Sequence, residues 1–177
     1  NRNGLVWDNN ALLSIGSTYI SGAQFVKKAD DRFEINSLVG KQINQYWNYS
    51  AFLNLKTQLL PGYRYYSQEG EDLRERITRM FSPAYAQGGV GWYLKKGKNL
   101  WANLSPLAAR MLLVSKKFTE DLAPNEKYFG VDAGANSKFF FGASISGFFK
   151  TQLMTNITLE NKYNFYVNYL EKTQNID

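Results

Sequence analysis

Hydrophobic and polar residues alternate with a period of two in seven segments of this chain. In the segment from Asn156 to Tyr169, the odd positions from Ile157 onward are mostly apolar and the even positions are mostly polar. This alternation is typical of a β-strand with one apolar and one polar face. The predicted strands run from Asn10 to Ile20, Asp31 to Ile43, Tyr46 to Leu59, Ala84 to Leu94, Leu100 to Val114, Lys138 to Thr151 and Asn156 to Tyr169.

Three residues interrupt the pattern within these strands. Pro106 falls inside the fifth strand and predicts a bend or bulge there, because proline cannot donate to the hydrogen-bond ladder. Phe140 and Phe148 occupy positions of the sixth strand that are otherwise polar.

The links between the predicted strands differ in length in a regular order. The order along the chain is long, short, long, short, long, short: Ser21–Asp30, Asn44–Gln45, Pro61–Pro83, Lys95–Asn99, Ser115–Ser137 and Gln152–Thr155. An antiparallel meander places alternate links at opposite ends of the sheet, so the short turns are predicted at one end and the long loops at the other. Outer-membrane barrels have this asymmetry, with short periplasmic turns and long outer loops.

Strand length and tryptophan placement point in the same direction. The predicted strands are about 11 to 15 residues long, whereas soluble strands average about 5–6 residues and a tilted membrane strand needs about 9–11. Trp7, Trp47, Trp92 and Trp101 all lie close to the predicted short-turn end. They predict an aromatic girdle at one membrane–water interface.

Alternation alone leaves two orientations open. A soluble, lipocalin-like barrel points its apolar face inward, whereas a membrane barrel points it toward lipid and lines its lumen with polar residues. Strand length and loop placement favour the membrane orientation. The charged candidates for the lumen are Arg32, Glu34, Lys56, Glu160 and Lys162.

Composition excludes several kinds of chemistry. The chain contains no cysteine and no histidine, which excludes disulfides, thiolate metal sites and histidine-dependent catalysis. Ser82 and Ser105 precede prolines and are predicted at bends, since no histidine base is present. The net charge of +6 comes from scattered lysines and arginines, so nucleic-acid binding is not expected. We therefore expect no enzyme activity, catalytic residue, metal or cofactor.

Two further expectations concern organisation. The segment Glu71 to Met80 (EDLRERITRM) has the composition of a short loop helix. The odd strand count predicts an incomplete barrel, because single-chain bacterial barrels have even numbers of strands and no open edge. The chain from residue 1 to 177 is then a single β-barrel domain that lacks strands at one or both ends, and the full antiparallel up-and-down barrel has about 10–14 strands.

Several stretches resemble a family of outer-membrane barrel proteins from Bacteroidota that is catalogued as a domain of unknown function. The matching stretches are LVWDNN (5–10), KKADDRFEINS (27–37), NLKTQLLPGY (54–63), FSPAY (81–85), LSPLAAR (104–110), YFGVDAG (128–134) and NYLEKTQNID (168–177). The resemblance implies a transmembrane barrel in the outer membrane of a Gram-negative bacterium, with further strands at both ends. It implies no activity.

The sequence leaves three functions open. The first is a porin-like channel or small-solute transporter with a hydrated lumen. The second is a structural or accessory barrel with a filled lumen, within a complex of other outer-membrane proteins or lipoproteins. The third is a soluble ligand-binding barrel. The first two predict outer-membrane lipid as the partner of the apolar face.

Overall fold

A computed structural model describes residues 4–22, 24–68 and 71–170 of the chain. The strands of this part are β1 (Leu5–Thr18), β2 (Lys27–Gln42), β3 (Trp47–Thr57), β4 (Gly62–Gln68), β5 (Glu71–Thr78), β6 (Ala84–Lys96), β7 (Leu100–Leu113), β8 (Lys127–Tyr128), β9 (Val131–Asp132), β10 (Ser137–Met154) and β11 (Ile157–Asn168). The helical content of the same residues is one 3₁₀ turn, Lys116–Phe118. The predicted all-β class is confirmed. Residues 171–177, which end the last stretch of the resemblance, lie outside the described residues.

The long strands form one antiparallel sheet shaped as a half-barrel. Its order is β1-β2-β3-β6-β7-β10-β11, so each strand pairs with the next long strand along the chain. These are the seven strands that the alternation predicted. The pairs Gln42–Asn48, Lys96–Leu100 and Met154–Ile157 close the short turns at one end of the sheet. The long connections therefore lie at the opposite end, as predicted.

The bulge predicted at Pro106 is present in β7. The registers of β7 with both of its neighbours shift at this point, since β7 uses one more residue than either partner. Gly91 of β6 lies opposite the bulge, where a Cβ atom would clash with the carbonyl oxygen of Leu104. A glycine at this position therefore allows the two backbones to approach closely. The Ser82–Pro83 peptide bond, in the second long connection, is cis.

The prediction of a short helix at Glu71–Met80 is wrong. Residues Glu71–Thr78 form strand β5, which pairs with β4 as a hairpin in the second long connection. Cross-strand contacts outweigh helix propensity here, because the Arg74 guanidinium lies 4.6 Å from the Tyr63 ring centroid and 5.0 Å from that of Phe25. A helix would separate Arg74 from the tyrosines of β4.

Burial in the sheet is the reverse of that in a soluble protein. Register places most apolar side chains of the seven strands on one face, where large residues are exposed, for example Leu53 at 56% and Phe139 at 58%. The other face is mainly polar and includes some of the most buried side chains of the strands, such as Ser105 at 1% and Ser144 at 3% exposed. A small apolar core of Leu112, Val114 and Val131 lies at the long-loop end.

Candidate functional site

Side chains on the polar face meet across strands that are not neighbours. Ser50 of β3 donates a hydrogen bond of 2.9 Å to Asn103 of β7 across β6. Gln87 of β6 donates one of 3.0 Å to Ser144 of β10 across β7. Alternate strands of a flat sheet lie about 9.6 Å apart, too far for such short side chains to meet. The polar face is therefore the inside of the curve, and we call it the concave face.

A row of small residues permits this curvature. Register aligns Gly40, Ser50, Gly91, Ser105 and Ser144 across the middle of the concave face. Side chains converge on the inside of a curved sheet, so small residues leave room where the strands bend most. The same row supplies the buried hydroxyls of Ser50, Ser105 and Ser144.

An ion pair also crosses the concave face at the short-turn end. The carboxylate of Asp8 on β1 lies 3.5 Å from the Lys95 ammonium on β6, although β2 and β3 lie between their strands. Both side chains are about half exposed, so the pair contributes little to stability. The contact shows that the sheet is curved across four strands, from β1 to β6.

The structure places all five predicted lumen residues on the concave face, but in two groups. Arg32, Glu34 and Lys56 lie toward the long-loop end, where Glu34 accepts hydrogen bonds from Asn36 (3.0 Å) and Asn54 (3.4 Å). Glu160 and Lys162 lie toward the short-turn end. There Glu160 forms an ion pair of 3.1 Å with Lys150. The two groups are separated along the strands and do not form one network.

Between these groups lies a cluster that the sequence did not single out. The Arg110 guanidinium lies 4.1 Å from the Tyr166 ring centroid and donates from Nε to the Gln87 amide oxygen at 3.4 Å. Gln87 is held in turn by Ser144. All four occupy polar positions of their strands, but sequence alone does not show that alternate strands meet there.

The two irregular phenylalanines have a structural explanation. Lys138 lies 4.9 Å from the ring centroid of Phe140, and Lys162 lies 6.0 Å from that of Phe148. Both rings lie on the concave face and support cations that share it. Their departure from the alternation was therefore a signal of the site.

The tryptophans divide between the two faces. Trp7, Trp47 and Trp92 lie on the apolar face near the short-turn end. Trp101 lies on the concave face, because register aligns it with Phe148 and Lys95, and its ring stacks on Phe148 at 6.4 Å. A girdle on the apolar face would therefore contain three of the four predicted tryptophans, without Trp101.

The connection from 114 to 136 covers the concave face at its long-loop end. Val131 is fully buried against Leu112, with Tyr85 and Phe140 packed around it. Tyr85, Leu112 and Phe140 belong to the concave face, so the connection folds inward rather than away from the sheet. We call residues 114–136 the cap.

Tyr128 fastens the cap to the preceding long connection. Its hydroxyl donates a hydrogen bond to the carbonyl oxygen of Ile77, at the end of β5. Burial raises the pKa of Tyr128 to about 12, and the Ser82 hydrogen bond opposes this rise. The backbone N–H of Ser115 donates a hydrogen bond of 2.8 Å to the Ser82 hydroxyl. This bond is a second link between the cap and the preceding long connection. The two longest connections therefore form one packed layer.

Among residues 4–22, 24–68 and 71–170, no group of three or more acidic side chains is arranged to hold a metal ion. None of the helical structure in them is long and apolar enough to cross a membrane.

Comparison with known proteins finds one partial match to a family model. A family model described as a protein of unknown function, DUF3078, matches residues 1–63, which include β1, β2 and β3. No curated protein and no solved structure matches the chain. The match carries no assigned activity.

Proposed function

We propose that this chain is part of a transmembrane β-barrel in the outer membrane of a Gram-negative bacterium, through which small polar solutes pass. The observation that supports this proposal most strongly is the reversed burial of the sheet. Its exposed face is apolar across seven strands, and its concave face is polar. Water disfavours a contiguous apolar surface of this size, whereas lipid accepts it. A lipocalin-like barrel would instead have its apolar face inside and its polar face outside.

Strand length supports the membrane orientation. β2 has 16 residues, β7 has 14 and β10 has 18. A tilted strand needs about 9–11 residues to cross the hydrocarbon layer, so each of these is long enough to cross and to extend beyond it. The charged side chains of the strands lie on the concave face or near the strand ends.

The direction of the edge strands restricts how the barrel closes. β1 and β11 both begin at the short-turn end, so they run in the same direction. An odd number of further strands is needed for every pairing to be antiparallel. Seven strands and an odd number give an even total, as in single-chain bacterial barrels. This agrees with a full barrel of about 10–14 strands.

A closed accessory barrel is the second candidate function, and the cap favours it. The cap covers part of the concave face, and hydrogen bonds between alternate strands occupy its middle. Such a barrel would be a non-enzymatic subunit associated with other outer-membrane proteins or lipoproteins. The two candidates share a fold and differ in whether the lumen conducts.

Lipid contact is tested first, with brominated lipids that quench tryptophan fluorescence on contact. In vesicles, we expect quenching to fall when Trp7 or Trp92 is replaced by phenylalanine, and to stay unchanged in Trp101→Phe. Equal contributions from Trp101 and Trp92 would contradict the lipid-facing assignment.

Single-channel recording in a planar bilayer then separates the two candidates. Steady conductance by the full-length protein supports solute passage. A sealed bilayer, with insertion verified by the lipid quenching, supports the accessory barrel instead.

A further inference from the structure

A cleft lies between two connections at the long-loop end of the sheet. Its walls come from the connection between β1 and β2 and from the β4–β5 hairpin, and its volume is about 200 Å³. Sites for drug-sized ligands have roughly 300–1,000 Å³, so this cleft suits a single small ring. We call it the loop cleft, and its lining includes Gln24, Phe25 and Lys27 on one side and Tyr65, Tyr66 and Asp72 on the other.

Contacts between the two walls hold the loop cleft in shape. The ring centroids of Phe25 and Tyr65 lie 5.8 Å apart across it. The Tyr65 hydroxyl donates a hydrogen bond of 3.2 Å to the carbonyl oxygen of Val26. Beside them, the Arg74 guanidinium of the hairpin lies 5.0 Å from the Phe25 ring centroid. The cleft is therefore formed before a ligand arrives, which lowers the cost of ordering it on binding.

Aromatic rings supply one half of a binding surface. Tyr66 is 44% exposed and lines the cleft together with Phe25 and Tyr65. The face of an aromatic ring is partly negative, so it attracts the polarised C–H groups on the flat side of a sugar ring. The cleft therefore offers a surface on which a sugar can stack.

Polar side chains supply the other half. The Asp72 carboxylate accepts a hydrogen bond of 2.6 Å from Ser67, which fixes its orientation and leaves further acceptor positions for a ligand. The Gln24 amide can both donate and accept. The Lys27 ammonium lies 5.4 Å from the Tyr65 ring centroid and adds a donor beside the rings. Sugar hydroxyls both donate and accept, so they match this mixture of groups.

Charge in the lining favours a neutral ligand. Of the described residues that line the loop cleft, Lys27 and Asp72 are charged, and their signs are opposite. An ion of either sign would meet a repelling side chain as well as an attracting one. A neutral, hydroxyl-rich ring meets no such repulsion.

We propose that the loop cleft binds one sugar ring of a neutral carbohydrate. The ring stacks on Tyr66, and its hydroxyls bond to Asp72 and Gln24. This inference goes beyond the proposed function, because the cleft is built from loops and does not require a conducting lumen. In an outer-membrane barrel the long loops face outward, where both free sugars and surface polysaccharides occur.

Saturation-transfer NMR on the full-length protein tests the proposal. The detergent must have no sugar headgroup, because a maltoside would compete for the cleft. The probes are the neutral disaccharides of glucose, galactose and mannose at millimolar concentration, with a uronic acid as the anionic comparison. We expect transfer to at least one neutral disaccharide, strongest at the C–H groups on one side of a ring. Transfer to none of them, or to the uronic acid alone, would overturn the proposal.

Substitutions then assign the binding to the loop cleft. Tyr66→Ala should raise the dissociation constant of the bound disaccharide about ten-fold. Asp72→Asn should raise it roughly three- to ten-fold, and it keeps the side chain's shape, so its effect is separate from misfolding. The matched control is Tyr46→Ala, which removes a tyrosine of similar exposure, 40%, at the short-turn end and should change nothing. Unchanged binding in Tyr66→Ala, or an equal loss in Tyr46→Ala, would refute the site.

A polysaccharide of the same sugar distinguishes the two sources of ligand. Tighter binding of the polysaccharide than of the disaccharide by protein in vesicles supports recognition of a surface chain, and equal binding per molecule supports recognition of a free sugar. Failure of lipid to quench Trp7 and Trp92 would refute the membrane location and leave sugar binding in detergent intact. Failure of the proposed function and failure of this inference are therefore distinguishable.

Discussion

Ser50 and Asn103 are joined by a hydrogen bond of 2.9 Å although a whole strand, β6, lies between them. Both residues are buried, at 7% and 4% exposed. Two short side chains can meet over an intervening strand only where the sheet is strongly concave and the intervening position is small. Gly91, which pairs with Ser50, meets that requirement.

Loss of this hydrogen bond should destabilise the sheet. Ser50→Ala leaves the buried Asn103 amide oxygen without its donor, and we expect the free energy of unfolding to fall by about 1–3 kcal/mol. Urea unfolding in lipid vesicles measures this change. The double variant Ser50→Ala with Asn103→Ala should cost less than the sum of the single variants. Simple additivity would show that the two residues do not interact.

Gly91→Ala should be more damaging than another glycine substitution in the same sheet. A Cβ atom at Gly91 would clash with the Leu104 carbonyl oxygen at the β7 bulge, which has little freedom to move. Overpacking of this kind costs about 1–3 kcal/mol or more. Gly147→Ala is the control, since its Cβ would lie 3.4 Å from its nearest neighbour, the Trp101 carbonyl oxygen. Equal stability of the two variants in urea would contradict the close approach at Gly91.

Arginine substitutions should distinguish the two faces. Ile145 lies on the exposed apolar face near the middle of β10, and Asn164 lies on the concave face of β11. We expect Ile145→Arg to reduce stability in vesicles by about 2–4 kcal/mol, the cost of arginine at the bilayer midplane. Asn164→Arg should be tolerated, because a polar interior accepts the charge. If Asn164→Arg were the less stable variant, the polar face would be the one in contact with lipid, and the proposed orientation would be wrong.

The cap should loosen at high pH. Its Tyr128 has a pKa raised to about 12 by burial, against an ordinary value near 10. Between these values the unfolded cap loses the tyrosine proton while the folded cap retains it, so stability falls as pH rises from about 10 to 12. Hydrogen exchange of residues 114–136 should accelerate over this range. Tyr128→Phe should remove this part of the pH dependence. If hydrogen exchange in the variant accelerated over the same pH range as in the wild type, another group would be responsible for the effect.

The alternation of residues was sufficient to predict the long strands because a side-chain period of two is a local property. It located all seven strands and, with link lengths, their order and the ends at which the loops lie. It failed in the connections, where helix-forming residues from Glu71 to Thr78 pair with β4 instead. Cross-strand contacts decide such segments, and these contacts are not local.

The sequence by itself determined that the sheet has one apolar and one polar face, because every strand repeats the same alternation. Only the tertiary structure decided which face is concave, since curvature depends on small residues meeting in one row across five strands. It also placed Trp101 with the polar residues and brought Arg110, Gln87, Ser144 and Tyr166 together. Register sets these relationships, and register is a property of paired strands rather than of any one of them.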